Sequence, residues 1–590
     1  MAQHQDGLAD YTTDRRVILL SLISVFIGAI ASVIALALLD LIQFFTNLCF
    51  YGKLSFGTVS PAQNHLGLLV ILIPAVGGLV IGVMARYGSE KIRGHGIPEA
   101  LEAILIGQSR MEPKIAVLKP LSSAISIGTG GPYGAEGPII MTGGAVGSLI
   151  AQFIHLSAAE RKILLVAGAS AGMAAVFATP VAAVLLAVEL LLFEWKPRSF
   201  IPVAMAAITA SILRVPLLGA GPIFAVVPHS ALGWQGMCWA LVVGLIAGLG
   251  STLLTGLVYF FEDTFTRLPL HWMWWPAIGG LFVGVGGYLD PRVLGVGYDV
   301  IHSLLRGEIV GAALIGLIIG KSVVWSLSLG SGTSGGVLAP LLMMGGGLGA
   351  LVGHWIPMGT PGLWAIIGMA AMMGGTMRSP FTALVFTLEL THDLNLLPAL
   401  LVGCIAAETV TVLLLKRSIL TEKVARRGHH LTREYSIDPL DVHRVSEVMV
   451  NDFPTVQENA TVDELFTAMI GTSQALVRGH GAPVVNTDGA LVGIITQSDI
   501  LRVIHEDRGT ELVGDVCSRD LIVAHEDELL RDVVVKMLKN DIGRLPVVDY
   551  GEPTKLVGYL DRSHVFNGRT KWYEEEHHRD QRWDLSGVKQ

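Results

Sequence analysis

From about residue 17 to residue 425 the chain is a run of apolar segments, and many are too short to cross a bilayer. A helical span needs about twenty apolar residues to cross ~30 Å of hydrocarbon. Residues 17–39 meet that length without one charged side chain, whereas 117–127, 139–154, 181–193 and 341–352 stop short at glycine or proline. Backbone broken at membrane depth is tolerated only where protein or a watery cavity satisfies its free N–H and C=O groups. The pattern therefore calls for a membrane-embedded body of broken helices whose ends meet inside the protein. Only 15% of residues are charged and the mean hydropathy is +0.58, against about 25% charged in an ordinary soluble domain. The first span is too long for a signal-peptide core, so it is expected to be retained.

The breaks recur in order. Pro74-Ala75-Val76-Gly77-Gly78-Leu79 is nearly repeated 202 residues later (276 − 74) as Pro276-Ala277-Ile278-Gly279-Gly280-Leu281. Lys119 and Lys321, Pro138 and Pro340, and Gly143-Gly144 and Gly345-Gly346 keep that offset, while Pro180 and Glu189 match Pro380 and Glu389 at 200. The membrane part, 17–425, thus divides into homologous halves, about 17–215 and 233–425. Such duplication places a transport site near mid-membrane, where the halves meet. Glu189 and Glu389 are matched, which points to packing or capping; Lys119 and Lys321 are matched too and are read as structural counter-charges, since a buried charge needs a partner. Glu136 aligns with Leu338, so its carboxylate belongs to one half alone.

Glu136 lies in Gly134-Ala135-Glu136-Gly137-Pro138. Glycines allow close backbone approach, and proline suits the first turn of a helix. A helix N-terminus carries about half a positive charge and attracts anions. A carboxylate placed there competes with a diffusible anion, which makes Glu136 the candidate gate of an anion pathway.

Beyond residue 425 the composition changes. A polar linker, 426–444, leads to two soluble modules, 445–504 and 513–567, and a charged tail, 568–590; a polar segment, 1–16, precedes the first span. The first module reads strand, helix, strand, strand, helix, with a helix start at Thr461 and a turn at Asp488-Gly489. The second repeats the plan around Pro546-Val547-Val548 and Leu556–Leu560. Cys49, Cys238, Cys404 and Cys517 have neither metal-site nor disulfide spacing. The formal net charge of −8 is mild, and no nucleic-acid partner is expected. Neither a HExxH nor a Walker-type motif appears, so an enzyme is not expected.

Three segments carry a family resemblance: Gly94-His95-Gly96-Ile97-Pro98, Gly134 to Pro138, and Gly336-Val337-Leu338-Ala339-Pro340. Through them the chain resembles the CLC family of chloride channels and proton-coupled anion antiporters. The resemblance implies a membrane all-α fold, an inverted repeat of broken helices, homodimeric with one pathway per subunit. It implies chloride transport of the voltage-gated channel type, with Glu136 as the gate and His95, Gly96, Ile97, Gly137, Val337, Leu338, Ala339 and Leu420 around the anion. Proton/chloride antiport, or export of another anion such as fluoride, is the alternative. A multi-pass protein of a bacterial-type inner membrane is implied. Arg15 and Arg16 before the first span, and Lys423, Arg426 and Arg427 after the last, put both termini in the cytoplasm. The soluble modules resemble a CBS pair, a small α/β domain. Gly493-Ile494-Ile495-Thr496-Gln497-Ser498-Asp499 matches its nucleotide stretch, so an adenine nucleotide at Thr496 and Asp499 is a possible ligand; no cofactor is required for transport.

Three departures bear on mechanism. His95 replaces the family's serine, so anion affinity is expected to rise as pH falls through about 6.5; the alternative is a loop histidine turned to water. Leu420 stands where the family's site tyrosine is usual. Leu190 stands where many exchangers carry an internal proton-transfer glutamate, which tilts the expectation towards a channel.

Overall fold

In a computed structural model, residues 15–428, 440, 443–470 and 481–566 are described, in two compact units, 1–433 and 434–590. The polar segment 1–14, most of the 426–444 linker and the tail from 567 lie outside the described residues.

The first unit is helical, and the repeat reads helix for helix. The first half holds α1 (Arg16–Thr46), α2 (Leu72–Tyr87), α3 (Ile97–Leu105), α4 (Pro113–Gly128), α5 (Glu136–Phe153), α6 (Ala158–Phe177), α7 (Pro180–Leu186) and α8 (Pro197–Leu218). The second holds α9 (Trp234–Thr266), α10 (Trp275–Leu289), α11 (Tyr298–Leu305), α12 (Ala312–Gly330), α13 (Leu338–Gly353), α14 (Pro361–Met377), α15 (Pro380–Thr391) and α16 (Leu397–Leu414). One further helix, α17 (Ile419–Arg426), has no counterpart in the first half. Among the described residues, six helical stretches are long and apolar enough to cross a membrane. Others are short, as the interrupted pattern requires: α3 has 9 residues and α7 only 7. Leu22, Phe153, Leu253 and Leu413 are exposed, as suits a surface solvated by lipid tails.

Glycine explains why the repeated motif is kept. A Cβ on Gly78 would strike the Pro276 carbonyl, and one on Gly280 would strike the Pro74 carbonyl. The two Pro-Ala-x-Gly-Gly-Leu copies therefore cross each other reciprocally, α2 on α10, at a distance only glycine permits. Within the halves, Gly143 meets the Gly168 carbonyl between α5 and α6, and Gly345 meets the Gly368 carbonyl between α13 and α14.

The matched glutamates form a second reciprocal contact. Glu189 accepts N–H bonds from Phe381 (3.3 Å) and Thr382 (2.8 Å) at the start of α15. Glu389 accepts them from Val181 (3.0 Å) and Ala182 (2.8 Å) at the start of α7. Each half thus caps a helix of the other, satisfying N–H groups that a helix N-terminus leaves free. The matched lysines are structural, but their partners correct the expectation of counter-charges. Lys119 Nζ donates to the carbonyls of Ile92 and Gly94, both at 2.8 Å. Lys321 Nζ donates to those of Val293 (3.0 Å) and Gly295 (2.9 Å). Two irregular loops, with no regular ladder of their own, supply the acceptors.

In the second unit, Val456–Gln457 pairs in parallel with Gly481–Val485, which pairs antiparallel with Leu491–Thr496. Arg544–Val548 and Leu556–Asp561 form the second antiparallel pair. The second module's first strand shrinks to one bridge, Ala524 to Val547. Thr461 starts its helix by a reciprocal bond with Glu464, and Asn486 Oδ1 closes the turn at Asp488-Gly489. Packing crosses the sequence order of the modules. Val445 and Met449 join the core of the second, while Val513 and Cys517 join that of the first.

Glu189→Ala or Glu389→Ala should each lower the thermal unfolding midpoint of the purified protein. The expected loss is about 1–3 kcal/mol, since each leaves two N–H groups unsatisfied. An unchanged midpoint in both variants would contradict the reciprocal caps.

Candidate functional site

Three loops are stitched together ahead of α3, α5 and α13. Gly94 donates its N–H to the Thr333 carbonyl at 2.8 Å, and Gly336 donates to the Gly134 carbonyl at 2.9 Å. Ser334 ties the third loop to α4 through Ser123 (2.8 Å) and Ser122 (3.1 Å). Gly96 holds φ +91°, a left-handed conformation that a side chain would strain. A Cβ on Gly137 would collide with the His95 carbonyl, and one on Gly96 would lie 2.6 Å from the Gly137 carbonyl. The N-terminal ends of three helices consequently approach one another closely, with the Glu136 side chain lying between those of α5 and α13.

Glu136 opens α5, with Pro138 in the first turn, and is fully buried. Its Oε1 accepts the N–H groups of Leu338 and, at 3.2 Å, Ala339, the first two residues of α13. Its Oε2 is buried without a hydrogen-bond partner. The carboxylate therefore occupies the N-terminus of the helix that corresponds to its own in the other half. Cross-strand pairing of Gly134 with Gly336 sets this register.

The remaining candidates fall around this point. Ile97 is the first residue of α3 and Val337 directly precedes α13; both are fully buried, as are Leu338 and Ala339. His95 is 2% exposed, so it is not the water-facing loop histidine weighed above, and its Nδ1 has no partner. Leu420 is fully buried on α17, which packs against α3 and α14. Leu190 is fully buried in the wide turn after α7. Thr496 and Asp499 satisfy each other: the Thr496 hydroxyl donates to Asp499 Oδ2 at 2.6 Å and accepts the Asp499 N–H at 3.3 Å. Arg502 pairs with the other Asp499 oxygen at 2.9 Å.

Glu99 was not singled out in the sequence, although glutamate three residues after Gly96 is a capping signal. Its Oε2 accepts the Gly96 N–H at 2.9 Å, and its Oε1 pairs with Lys423 of α17 (3.6 Å) and with Arg427 just beyond that helix (3.1 Å). The sequence also holds two Gly-x-Ser-x-Gly strings, at 168–172 and 332–336. Neither is a nucleophile elbow. Ser170 lies inside α6, and Ser334 is bound to Ser122 and Ser123.

Two cavities approach the cluster. One of about 800 Å³ reaches Ala135 and Tyr298 from Asn64 and His65. Another of about 490 Å³ reaches Gly332 and Arg93 from Glu90 and Lys91. The apolar span of residues 67–87 begins just after His65 and ends just before Glu90, so the cavities open on opposite faces. Lys321 braces the 293–295 loop at the first, and Lys119 braces the 92–94 loop at the second. The halves are therefore inverted relative to each other.

The voltage gated chloride channel family model matches residues 77–412, and the CBS domain model matches 445–506 and 513–569. A voltage-gated ClC-type chloride channel ClcB of Citrobacter koseri is 30% identical over 378 residues, covering 62% of this chain and 90% of that protein. A putative chloride channel protein ClcB-like of Ralstonia nicotianae is 28% identical over 361 residues, covering 59% and 84%. Among solved structures, a slow cyanobacterial Cl−/H+ antiporter gives a TM-score of 0.61 at 22% identity, covering 70% of this chain and 99% of that one. A eukaryotic CLC transporter gives 0.59 at 19%, covering 93% and 98%. At such identities the likeness concerns the fold, which is that of the CLC transporters. On its family match and its architecture, the chain belongs to the CLC family, described by the voltage gated chloride channel model, and a CBS pair follows the membrane part in sequence.

Proposed function

We propose that this protein is a chloride channel of the voltage-gated type in which Glu136 is the gate. The observation that carries this is the Glu136 carboxylate on the N–H groups of Leu338 and Ala339. Those donors are the ones a dehydrated anion would need, so carboxylate and chloride exclude one another. In the open pathway the backbone of Gly96, Ile97, Gly137, Val337, Leu338 and Ala339 coordinates the anion, with His95 Nδ1 as a side-chain donor and Leu420 as apolar wall. Partial charges of this kind replace hydration without the full positive charge that would hold the ion too long.

Passive flux is favoured because Leu190 cannot carry a proton and Glu189 is committed to capping α15. Proton/chloride antiport is the second reading, and one observation favours it: Glu136 Oε2 lacks a partner, as a carboxyl cycling through its neutral form could. The protein works as a homodimer in a bacterial-type inner membrane. Basic residues beside the first and last helices support two cytoplasmic termini.

Glu136→Ala should leave chloride efflux from proteoliposomes running but independent of pH and voltage, with chloride affinity raised several-fold, up to about tenfold. Wild-type gating in that variant would sink the assignment. The CBS pair is proposed to take an adenine nucleotide at Thr496 and Asp499. Calorimetric titration with AMP should give heat that Asp499→Ala removes; no heat with AMP or ATP would mean a scaffold only.

A further inference from the structure

The 490 Å³ cavity is lined by five cations, Lys91, Arg93, Lys423, Arg426 and Arg427, and by three acids, Glu90, Glu102 and Glu262. Four of them have carboxylate partners. Lys91 pairs with Glu112 at 2.9 Å, Lys423 with Glu99, Arg427 with Glu99 and Glu102, and Arg426 with Asp263 and Glu422. Arg93 is the exception. Among the described residues its one hydrogen bond runs from Nε to the Gly332 carbonyl, at a long 3.4 Å. Its guanidinium instead lies over the Trp272 ring, 4.6 Å from the centroid, with Trp275 at 5.8 Å. Stacking fixes the plane of the group but consumes none of its donors. Among the described residues neither Nη group has a hydrogen-bond partner, and the side chain is half-buried, two residues before His95.

We propose that Arg93 is an anion-capture site in this cavity, held by Trp272 and Trp275, that loads the pathway from this face and favours planar oxyanions over spherical halides. A guanidinium edge offers two parallel N–H bonds, which match nitrate or bicarbonate bidentately; chloride can use the charge but not the fork. Because the cavity is open to water, the site is weak and fast, as loading requires. Its partners Trp272 and Trp275 also confine it to one membrane face, so its effect on transport is one-sided. The flux part of the inference rests on the anion-transport reading above; the binding part does not.

The test uses full-length protein in two assays. The first is calorimetric titration with nitrate and with chloride. Arg93→Gln should weaken nitrate binding about tenfold and chloride binding about threefold. Arg93→Lys, which keeps the charge without the fork, should recover the chloride value and not the nitrate value. The second is initial anion uptake in oriented proteoliposomes. Arg93→Gln should raise the half-saturating concentration several-fold when the anion is on the Arg93 side, leaving the opposite side and the saturating rate unchanged. Unaltered nitrate binding in Arg93→Gln would overturn the capture site. So would equal changes on both faces, which mark a distorted fold, or full nitrate rescue by lysine. A wild-type protein that moves no anion, yet loses nitrate binding in Arg93→Gln, would contradict the transport reading and leave the capture site standing.

Discussion

A carboxylate on the first two N–H groups of α13 is the interaction around which the membrane body is arranged. It is costly to bury a charge at mid-membrane, and here the helix end supplies the compensation, with Glu136 Oε1 on Leu338 and Ala339. That arrangement requires α5 and α13 to begin inside the protein, so both are broken short of a full span. It also requires their loops to touch, which Gly134, Gly137 and Gly336 allow by having no side chain. A complete span at either position would hide its N-terminal donors outside the membrane and leave the Glu136 carboxylate nothing to bind.

Duplication provides the means of holding such ends in place. The crossing of α2 and α10, the exchanged caps of Glu189 and Glu389, and the braces of Lys119 and Lys321 all come in pairs. Each pair ties one half to the other or supports corresponding loops on opposite faces. Against this background Glu136 breaks the symmetry, because its counterpart is Leu338, the residue whose N–H it takes. Two equivalent helix ends therefore become a donor site and an occupant. In the proposed function, asymmetry at this one residue is what turns a symmetric scaffold into a gated path.

Much of this was legible in the sequence, for physical reasons. Proline and glycine punctuate helices, so the breaks and the repeat could be read directly, and the match between Glu189 and Glu389 already suggested packing or capping. What stayed hidden depends on partners far away in the chain. Lysines at 119 and 321 looked like counter-charges because backbone carbonyls leave no trace in sequence; their acceptors are the irregular loops at 92–94 and 293–295. Nor could Arg93 be separated from an ordinary surface cation, since Trp272 lies 179 residues on (272 − 93). The soluble modules were found by strand pattern, but hydrophobicity does not say which core a strand joins. Val445 and Val513 each pack in the module next to the one their order suggests.

Simultaneous recording of external chloride and pH during efflux from chloride-loaded liposomes tests the central claim most directly. The account expects chloride to leave down its gradient while protons show no uphill movement. Uphill proton movement coupled to chloride would contradict the channel and make Glu136 a proton carrier despite Leu190. Absence of any chloride efflux would contradict the proposal that chloride competes with Glu136 for the end of α13.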